Sequence, residues 1–549
     1  MTREQVFWGW GEPGAGPSLS DAAAGFLRQE LGLDGGIVSR PVALEEVRLR
    51  EPALPAGLRE RLAAICEVRD DRASRVLRCR GKSYLDLLAQ RAGDCEDAPD
   101  AVVAPTSHEQ VLAVLQACSE AGVAVVPFGG GTSVVGGLEP ERAGLEALVS
   151  LDLGLMDRVL AVDERSLTAT LQPGLRLPEL ERALDDAGLT LGHVPQSYEW
   201  ASVGGCVATR SAGQASSGLG RIDANVVSLR AAAPAGELAT LTVPSTAAGP
   251  SLRELLVGSE GALGVLTEIT LRVRPAPAAT RYEAWFAHSF GEGADALRRL
   301  AQAGLSPDVA RLSDEDETRL SLALAGTPKL VRALLGARGY RDGCLMILGW
   351  EGRPEAIARR RSPAARFLRS AGAAYVGRPA GETWRRHRFA GPHLRDDMLD
   401  RGLLVETLET ATTWSRVDAL RRRVREALRT SLRSPHVGCH ISHLYPTGAS
   451  LYFTVMARQS SDPVAQWHVA KDAASAAISR AGATITHHHA IGRDHAPWLG
   501  AEAGTLGLDV LRTVKERLDP AWVMNPGVLL RAAVRGRNAA PPPNPPDPL

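Results

Sequence analysis

A chain of 549 residues is too long for one ordinary hydrophobic core, so we expect two or more lobes. Lys and Arg total 63, as do Asp and Glu, and this zero net charge supplies no general attraction to nucleic acid or to an acidic membrane. The hydrophobic fraction of 44% is that of a globular protein, which excludes a disordered chain.

The seven cysteines are scattered and form no Cys-x-x-Cys pair, which is typical of reduced thiols in a cytoplasm. No apolar run is long enough to cross a bilayer, and the first residues carry Trp8 and Trp10 where a signal peptide would have a basic and then an apolar segment. We therefore predict a cytoplasmic protein. The segment 538–549 is mostly proline and is predicted to be a frayed, disordered end outside the fold.

The first sharp pattern is AVVAPTSHEQVLAVLQACSEAGVAVVPFGGGTSVVGG at 101–137. It predicts a strand, a helix with Thr106 and Glu109 in capping-box spacing and Gly122 as terminator, and a second strand at 123–128. A glycine-rich loop follows that strand. Loops at the strand ends of such α/β units are where these sheets bind ligands.

Further along, residues 158–171 favour a strand, and 177–187 favour a helix that ends at Gly188. Residues 190–220 are rich in Gly, Ser and Pro, which is typical of a loop that wraps a ligand. Strand character returns at 226–243 and 263–273. The Pro-flanked turn at 274–277 then precedes a shift to Ala, Arg and Leu at helical spacing, and we place a domain boundary there.

The contiguous glycines at 129–131, followed by Thr132 and Ser133, offer unobstructed backbone N–H groups and two hydroxyls. Those groups suit a diphosphate that is bound without a dedicated cation. The loop has neither the Lys-Ser/Thr ending of a nucleoside-triphosphate loop nor the G-x-G-x-x-G spacing of a dinucleotide fingerprint. On this segment alone, glycines that merely turn a hairpin explain the pattern equally well.

Three ordered motifs carry a family resemblance: PFGGGTSVVGG (127–137), HVPQSYEWASVGGCVATRSAGQASSGLGRI (193–222) and GSEGALGVLTEITLRVRP (258–275). Together they resemble the FAD-binding domain of the vanillyl-alcohol oxidase and p-cresol methylhydroxylase superfamily. The resemblance implies an α+β fold with a two-lobed FAD-binding domain of the p-cresol methylhydroxylase type, an α+β cap domain and a helical N-terminal segment. The implied division is a helical segment at 1–95, the FAD-binding domain at 96–276, the cap at 277–490 and a C-terminal segment at 491–537 that packs back on the flavin side.

The same resemblance assigns the FAD contacts. Superfamily members with covalent flavin often carry a histidine in the glycine loop, where this chain has Thr132 and Ser133, so non-covalent FAD is expected. The implied FAD-binding residues are Pro127, Phe128, Gly129, Gly130, Gly131, Thr132, Ser133, Gln196, Ser197, Ser202, Gly204, Gly205, Thr209, Arg210, Ser211, Ala212, Glu260, Gly261, Ala262, Leu263, Gly264, Val265 and Leu266.

Four segments of the second half resemble one branch, the alkyldihydroxyacetonephosphate synthase (alkylglycerone-phosphate synthase) family. They are PDVARLSDED (307–316), HLRDDMLDRGLLVETLETATTW (393–414), HISHLYPTGASLYFTV (440–455) and THHHAIGRDHAPWL (486–499). By this resemblance Tyr452 is the catalytic acid/base and Arg395 binds the substrate phosphate. Arg311, His487, His488 and His489 complete the site.

The resemblance also implies the reaction. The acyl chain of acyl-dihydroxyacetone phosphate is exchanged for a fatty alcohol in ether lipid synthesis, through a flavin N5 adduct and without net oxidation. The implied partners are a small phosphorylated lipid-like substrate and a fatty alcohol, and no nucleic acid. The pattern does not decide between a monomer and a homodimer. It also leaves open a peripheral membrane contact through the basic runs at 359–361 and 385–388, for which solvated helix faces are the simpler interpretation.

Without the family resemblance, the same residues support less specific interpretations. A run of three histidines can relay protons or bind a metal, and we predict no metal. Tyr452 in an apolar strand is more typical of core packing, and Arg395 beside two aspartates is more typical of a surface ion pair. A tyrosine also works as a base only if nearby cations lower its pKa, and we expect these cations to come from Arg311 and the protonatable histidines.

A second enzyme class stays open from the sequence. VMNPGVLL (523–530) and the position of HHHAIG resemble flavin-dependent 2-hydroxyacid enzymes, which implies a D-lactate- or glycolate-type dehydrogenase or oxidase as the alternative. A flavin-binding protein without catalysis is a third reading. The joint presence of Tyr452, Arg395 and the histidines argues against that third reading.

Overall fold

The computed structural model describes residues 5–14, 18–33, 36–327 and 329–531, so the expectation for the tail at 538–549 lies outside the described residues. The described part of the N-terminal region contains four α-helices, one turn of 3-10 helix (Leu44–Glu46) and one short strand. These elements are α1 (Asp21–Leu31), α2 (Ala56–Ile65), β1 (Glu67–Arg69), α3 (Arg72–Leu77) and α4 (Tyr84–Arg91).

The first lobe begins with a small sheet in the order β1-β2-β4-β3, in which β2, β4 and β3 run parallel. Its buried strands are continuous apolar runs because helices or loops cover both faces. The new elements are β2 (Ala101–Ala104), α5 (His108–Ala121), β3 (Ala124–Phe128) and β4 (Leu148–Asp152).

Helix α5 corrects one sequence prediction. Its N-cap is Ser107, whose hydroxyl accepts a hydrogen bond from the backbone N–H of Gln110 at 3.3 Å. Thr106 instead donates its hydroxyl to the side chain of Gln110, so the capping-box assignment to Thr106 was wrong by one residue. The predicted end at Gly122 is confirmed, because this glycine adopts the left-handed conformation at φ +63°.

A second, antiparallel sheet in the order β5-β6-β10-β8-β9 completes the first lobe. A two-stranded pair, β7 with β11, closes its border with the next lobe. The elements are β5 (Val159–Asp163), β6 (Thr168–Leu171), α6 (Leu177–Asp185), β7 (Leu189–Thr190), α7 (Val203–Ala208), α8 (Ser216–Leu219), β8 (Val226–Ala233), β9 (Gly236–Ala239), α9 (Leu252–Leu256), β10 (Val265–Arg272) and β11 (Arg274–Pro275).

The cap is built on a seven-stranded antiparallel sheet in the order β15-β12-β14-β13-β17-β18-β16. Helices cover one face and bury the largest apolar cluster of the chain. The elements are β12 (Ala279–Ala287), α10 (Phe290–Gln302), β13 (Val309–Ser313), α11 (Glu315–Leu324), α12 (Lys329–Ala337), β14 (Cys344–Gly352), α13 (Pro354–Ser370), β15 (Ala374–Gly377), α14 (Arg378–His387), α15 (Gly391–Asp400), β16 (Leu403–Thr413), α16 (Val417–Ser431), β17 (His436–Leu444), β18 (Gly448–Arg458) and α17 (Pro463–Arg480).

The C-terminal stretch returns to the first lobe through helix α18 (Leu499–Leu518). The buried Lys515 donates from Nζ to the carbonyls of Ala262 and Met524, both at 2.7 Å. Asn525 donates to the carbonyl of Glu260 at 2.7 Å. These bonds fix the chain end beside β3 and the glycine-rich loop. Within the described ranges, no helix is both long and apolar enough to cross a membrane.

Candidate active site

A cavity of about 570 Å³ lies where the first lobe meets the open face of the cap sheet. It brings together most of the predicted cofactor residues and most of the predicted catalytic residues. The predicted residues that line it are Pro127, Gly129, Gly130, Gly131, Thr132, Ser133, Gln196, Ser197, Ser202, Gly204, Gly205, Thr209, Ser211, Ala212, Glu260, Gly261, Gly264, Val265, Leu266, Arg311, Arg395, Tyr452, His488 and His489.

The glycine loop passes so close to residues 200–202 that side chains would not fit. A Cβ on Gly130 would lie 2.2 Å from the carbonyl oxygen of Trp200, and one on Gly129 would lie 2.4 Å from the hydroxyl of Ser202. Gly131 also requires glycine, because its φ is +68°. The glycines therefore serve the packing of the loop as well as access to its backbone.

The backbone of this loop offers donors to a ligand. Across the described ranges, the N–H groups of residues 130–133 donate no hydrogen bond to the protein, and the residues themselves line the cavity. Unpaired amides next to two hydroxyls fit the diphosphate of FAD without a basic side chain. The donor set thus fits the cofactor that the motifs imply.

Glu260 joins the first lobe to the segment that follows the histidine run. Its carboxylate accepts the backbone N–H groups of Ile491 at 2.9 Å and Gly492 at 3.0 Å. Burial raises the pKa of Glu260 to about 7. Glu260 was predicted to bind FAD, and its side chain instead forms hydrogen bonds within the protein. The same hydrogen bonds hold Glu260 in the cavity wall.

Four predicted cofactor residues are not part of the cavity wall. Phe128 is buried beneath the loop, where its ring would contact any Cβ on Gly131. Ala262 and Leu263 are 1% exposed and pack in the core. Arg210 pairs with Asp223 at 3.3 Å. Direct contact of these four residues with FAD stays a prediction, and their positions outside the cavity wall do not favour it.

Tyr452 lies on β18, where alternate side chains face opposite sides of the sheet. Residues 452, 454 and 456 line the cavity, while 451, 453 and 455 are in the core. The Tyr452 ring stacks on His440 at 4.9 Å between centroids and on His488 at 5.9 Å, and meets His489 edge-on at 5.5 Å. The predicted acid/base residue is thus surrounded by imidazoles.

The expectation that cations lower the pKa of Tyr452 was wrong for this structure. Burial raises the pKa of Tyr452 to about 12. Burial likewise lowers the pKa of His488 and of His489 to about 4, so both rings are neutral at pH 7. Arg311 is paired with Glu317, which also accepts from His440 Nδ1 at 3.0 Å. The site at rest holds a neutral phenol among neutral imidazoles.

Glu409 fixes the histidine run and was not identified from the sequence. Its carboxylate accepts the backbone N–H groups of His487 at 2.5 Å, His489 at 2.9 Å and His488 at 3.2 Å. Glu409 lies on β16 directly opposite Tyr452 in the β16–β18 register. One buried carboxylate therefore ties the histidine loop to the strand pair that carries Tyr452.

His487 points away from the cavity wall. Its Nε2 bonds to the Tyr445 hydroxyl at 2.6 Å, and its Nδ1 lies 3.0 Å from Nδ1 of His488. Ring nitrogens of His443, His487 and His488 lie within 4.8 Å of one another, a spacing that could hold a metal ion. Both nitrogens of His443 are already engaged, with Ser450 at 3.1 Å and with the Gly213 carbonyl at 3.0 Å. This arrangement favours hydrogen bonding over metal ligation, and the absence of a metal stays a prediction.

Arg395 lies on α15 and presents its guanidinium to the cavity. Its side chain is 12% exposed, and the nearest carboxylate oxygen, Oε1 of Glu406, is 3.9 Å away. The buried Nε atom has no hydrogen-bond partner among the described residues. A buried arginine whose N–H groups are not all paired within the protein is suited to binding an anion in the cavity.

One part of the cavity lining is apolar and is here called the apolar arm. Its residues pack in the same apolar cluster as Leu27 of helix α1. Its apolar lining residues are Leu320, Leu324, Leu394, Met398, Val405 and Met456.

The basic runs are largely engaged within the protein. Arg360 binds Asp308 at 2.6 and 2.8 Å, and Arg361 binds Glu283 at 2.5 Å. Arg388, in the second run, lines the cavity. These contacts favour the interpretation of internal ion pairs over a membrane-facing patch.

Comparisons with known proteins match this geometry. Residues 99–242 match the family described as "FAD binding domain", and residues 276–529 match "FAD linked oxidases, C-terminal domain". The chain is 31% identical over 548 residues to alkyldihydroxyacetonephosphate synthase of Dictyostelium discoideum, covering 94% of this chain and 89% of the relative. It is 32% identical to the enzyme of that name from Trypanosoma brucei brucei, covering 84% and 78%.

A solved structure of an alkyldihydroxyacetonephosphate synthase superimposes with a TM-score of 0.82 at 28% identity. The match covers 95% of this chain and 98% of that structure. These comparisons confirm the predicted α+β fold with its p-cresol methylhydroxylase-type FAD-binding domain, and FAD as the cofactor.

Proposed function

Since this chain belongs to the alkyldihydroxyacetonephosphate synthase family of FAD-dependent enzymes, we propose that it exchanges the acyl chain of acyl-dihydroxyacetone phosphate for a fatty alcohol. One observation carries the proposal. A single cavity combines the FAD loop, the hydrogen-bond donors of Arg395, the Tyr452–histidine cluster and an apolar arm. The loop suits the cofactor, and each of the other three parts matches one part of such a substrate.

Arg395 is the proposed phosphate ligand. A planar guanidinium binds two phosphate oxygens at once, and burial strengthens these charge-assisted bonds. The distance of 3.9 Å to Glu406 leaves its donors available to the substrate. The apolar arm then receives the acyl or alkyl chain, whose burial supplies about 0.8 kcal/mol for each methylene.

The protein residues move the proton that the exchange requires. The exchange requires that a proton leave the carbon next to the ketone and later return to it. A neutral imidazole can accept this proton, and a neutral phenol can donate one. We assign acceptance to His488 and donation to Tyr452, whose rings are stacked. The resulting His488 imidazolium then returns its proton to the Tyr452 phenolate, so that both groups end the cycle neutral. FAD, when bound, would supply the N5 centre of the flavin. The exchange itself involves no net oxidation or reduction.

The test compares the exchange with the oxidation of a 2-hydroxy acid. The FAD-loaded protein is mixed anaerobically with acyl-dihydroxyacetone phosphate and a radiolabelled fatty alcohol while the flavin spectrum is recorded. We expect label in an ether-linked phosphorylated product, an oxidised flavin at the end, and no bleaching by D-lactate or glycolate. Bleaching by either acid, with no label in an ether product, would establish the oxidoreductase alternative instead.

A further inference from the structure

Residues 5–11 form a short loop, here called the N-terminal strap, that the proposed mechanism does not use. The N–H of Val6 donates to the carbonyl of Gly11 at 2.8 Å and so closes the loop. Phe7 is buried, and Trp10 is 5% exposed. Trp10 also lines the same cavity as Arg395. The strap is therefore part of the wall of the cavity that is proposed to hold both FAD and the substrate.

Lys82 anchors the strap from below. Its ammonium donates to the carbonyl oxygens of Val6 at 2.9 Å and Phe7 at 3.0 Å. The residue is 4% exposed, and burial lowers the pKa of Lys82 to about 8. Burying an ammonium is costly unless its hydrogen bonds are satisfied, so these two carbonyls are held in place.

The strap lies directly on α15, the helix that carries Arg395. The backbone N–H of Trp10 donates to Oδ2 of Asp396 at 2.6 Å. A Cβ on Gly9 would lie 2.6 Å from that same oxygen, and one on Gly11 would lie 2.6 Å from Cε1 of His393. Gly11 is moreover at φ +81°. Glycine is thus required at both positions by the close approach of strap and helix.

The other end of the strap reaches the FAD loop. The side chain of Gln5 donates to the carbonyl of Gly130 at 3.3 Å. The backbone N–H of Lys82 donates to the carbonyl of Ser133 at 2.6 Å. The strap and its anchor therefore contact the glycine loop on one side and the neighbour of Arg395 on the other.

We propose that the N-terminal strap forms part of the phosphate-binding site, an inference that rests on the proposed function. In it Trp10 contacts the phosphorylated head group of the substrate. Asp396 is a positioning residue that fastens the strap to α15 next to Arg395. The strap thereby fixes the distance between the phosphate ligand and the flavin loop, and this distance selects a short phosphorylated head group.

Two neighbouring aspartates provide a matched test of the positioning role. Asp396 accepts from Trp10, whereas Asp397 accepts the N–H of Leu19 at 2.9 Å, outside the strap. Dihydroxyacetone phosphate is titrated into FAD-loaded Asp396→Ala and Asp397→Ala, with flavin absorbance as the signal. We expect Kd to rise about tenfold for Asp396→Ala, because a charge-assisted bond is lost. Asp397→Ala should bind as the parent does, and Asp396→Asn, which keeps an acceptor oxygen, should recover most of the affinity.

Trp10→Ala tests the direct contact without touching the strap backbone. We expect a higher Kd for dihydroxyacetone phosphate, an unchanged KM for the fatty alcohol and a full complement of FAD. The inference is overturned if Asp396→Ala and Trp10→Ala both bind the ligand as the parent does. It is also overturned if Trp10→Ala loses FAD in parallel with the ligand, which would place Trp10 on the cofactor. A parent protein that binds no phosphorylated ligand would instead contradict the proposed function itself.

Discussion

The first lobe builds its wall of the cavity mainly from backbone, whereas the cap builds its wall from side chains. On the first lobe, contiguous glycines press the loop against residues 200–202 and leave amides at 130–133 open to a ligand. On the cap, Tyr452, His488 and Arg395 come from a strand, a loop and a helix that are distant in the chain.

This difference separates two kinds of dependence on sequence. A binding site made of backbone groups requires glycines at the points of close approach. Its ligand affinity is therefore sensitive to any added Cβ and less sensitive to which side chains surround the loop. A side-chain site requires particular functional groups, and its geometry depends on partners such as Glu409 that do not line the cavity. Substitutions in the first lobe should therefore lower FAD affinity, whereas substitutions in the cap should lower turnover or substrate affinity.

The largest expected effect is on the cap side, at Tyr452. Tyr452→Phe keeps the ring and its stacking on His440 and His488 and deletes only the hydroxyl. We expect turnover to fall about a hundredfold or more, the loss typical of a general acid/base, while FAD content and thermal midpoint stay near the parental values. Steady-state kinetics with Tyr375→Phe, a half-exposed tyrosine in β15, as control would check this. Parental turnover in Tyr452→Phe would reduce the hydroxyl to a packing feature.

On the first lobe we expect a loss of FAD affinity rather than a direct loss of turnover. Gly130→Ala places a Cβ 2.2 Å from the carbonyl of Trp200, so the loop must shift. We expect FAD affinity to fall about tenfold to a hundredfold, which corresponds to an overpacking cost of 1–3 kcal/mol. Gly57→Ala, where a Cβ meets nothing within 4 Å, serves as the control in a flavin fluorescence titration. Unchanged FAD binding by Gly130→Ala would mean that this loop is not the cofactor cradle.

Arg395 gives a smaller effect that is confined to one substrate. Arg395→Ala should raise KM for the phosphorylated substrate about tenfold and leave kcat and FAD content largely unchanged. Tenfold corresponds to the lower end of the roughly 1.5–3 kcal/mol that a bond to a charged group contributes. Arg299→Ala, an exposed arginine paired with Asp295, is the matched control. Loss of FAD together with substrate affinity would show that Arg395 supports the fold rather than the phosphate.

The smallest effect is expected at Glu260, where the two regions meet. Burial raises the pKa of Glu260 to about 7, so the folded protein holds this proton more tightly than the unfolded chain does. That contribution to stability is present below the ordinary glutamate pKa and is lost as pH rises through about 7. Glu260→Gln should therefore raise the thermal midpoint relative to the parent at pH 8.5 by roughly a few degrees, and less at pH 5. A pH-independent difference, compared with the exposed control Glu164→Gln, would contradict the buried titration.

The sequence predicts the first lobe better than the cap because the lobe's requirements are local. The ends of α5 and the glycine loop follow from residues that act within one turn, and the error at the start of α5, Thr106 for Ser107, is a shift of one position. The stretch at 190–220, expected to be a loop, also contains the short helices α7 and α8. In contrast, His440 faces Tyr452 only because a turn at residues 445–448 pairs β17 with β18. A regular count outward from that turn would place Ile441 opposite Tyr452, because it misses the register shift between Ile441 and His443 that brings His440 there.

Other features of the site depend on burial and on long-range contacts, which no short motif encodes. Glu409 holds the histidine loop across 78 to 80 residues of chain, and nothing in its neighbours distinguishes it from Glu406, the other glutamate of β16. The pKa of Tyr452 was expected to fall and instead rises, because burial outweighs the effect of the nearby Arg395. Charge can be read from a sequence, but the dielectric surroundings of that charge cannot.

The central claim is that one cavity holds the flavin and a phosphorylated lipid side by side. A crystal structure of the FAD-loaded protein with bound alkyl-dihydroxyacetone phosphate tests this most directly. We expect the flavin along the glycine loop, the phosphate on Arg395, the ketone beside Tyr452 and the chain among the residues of the apolar arm. A phosphate bound away from Arg395, or a chain that leaves the cavity without entering that arm, would contradict the account.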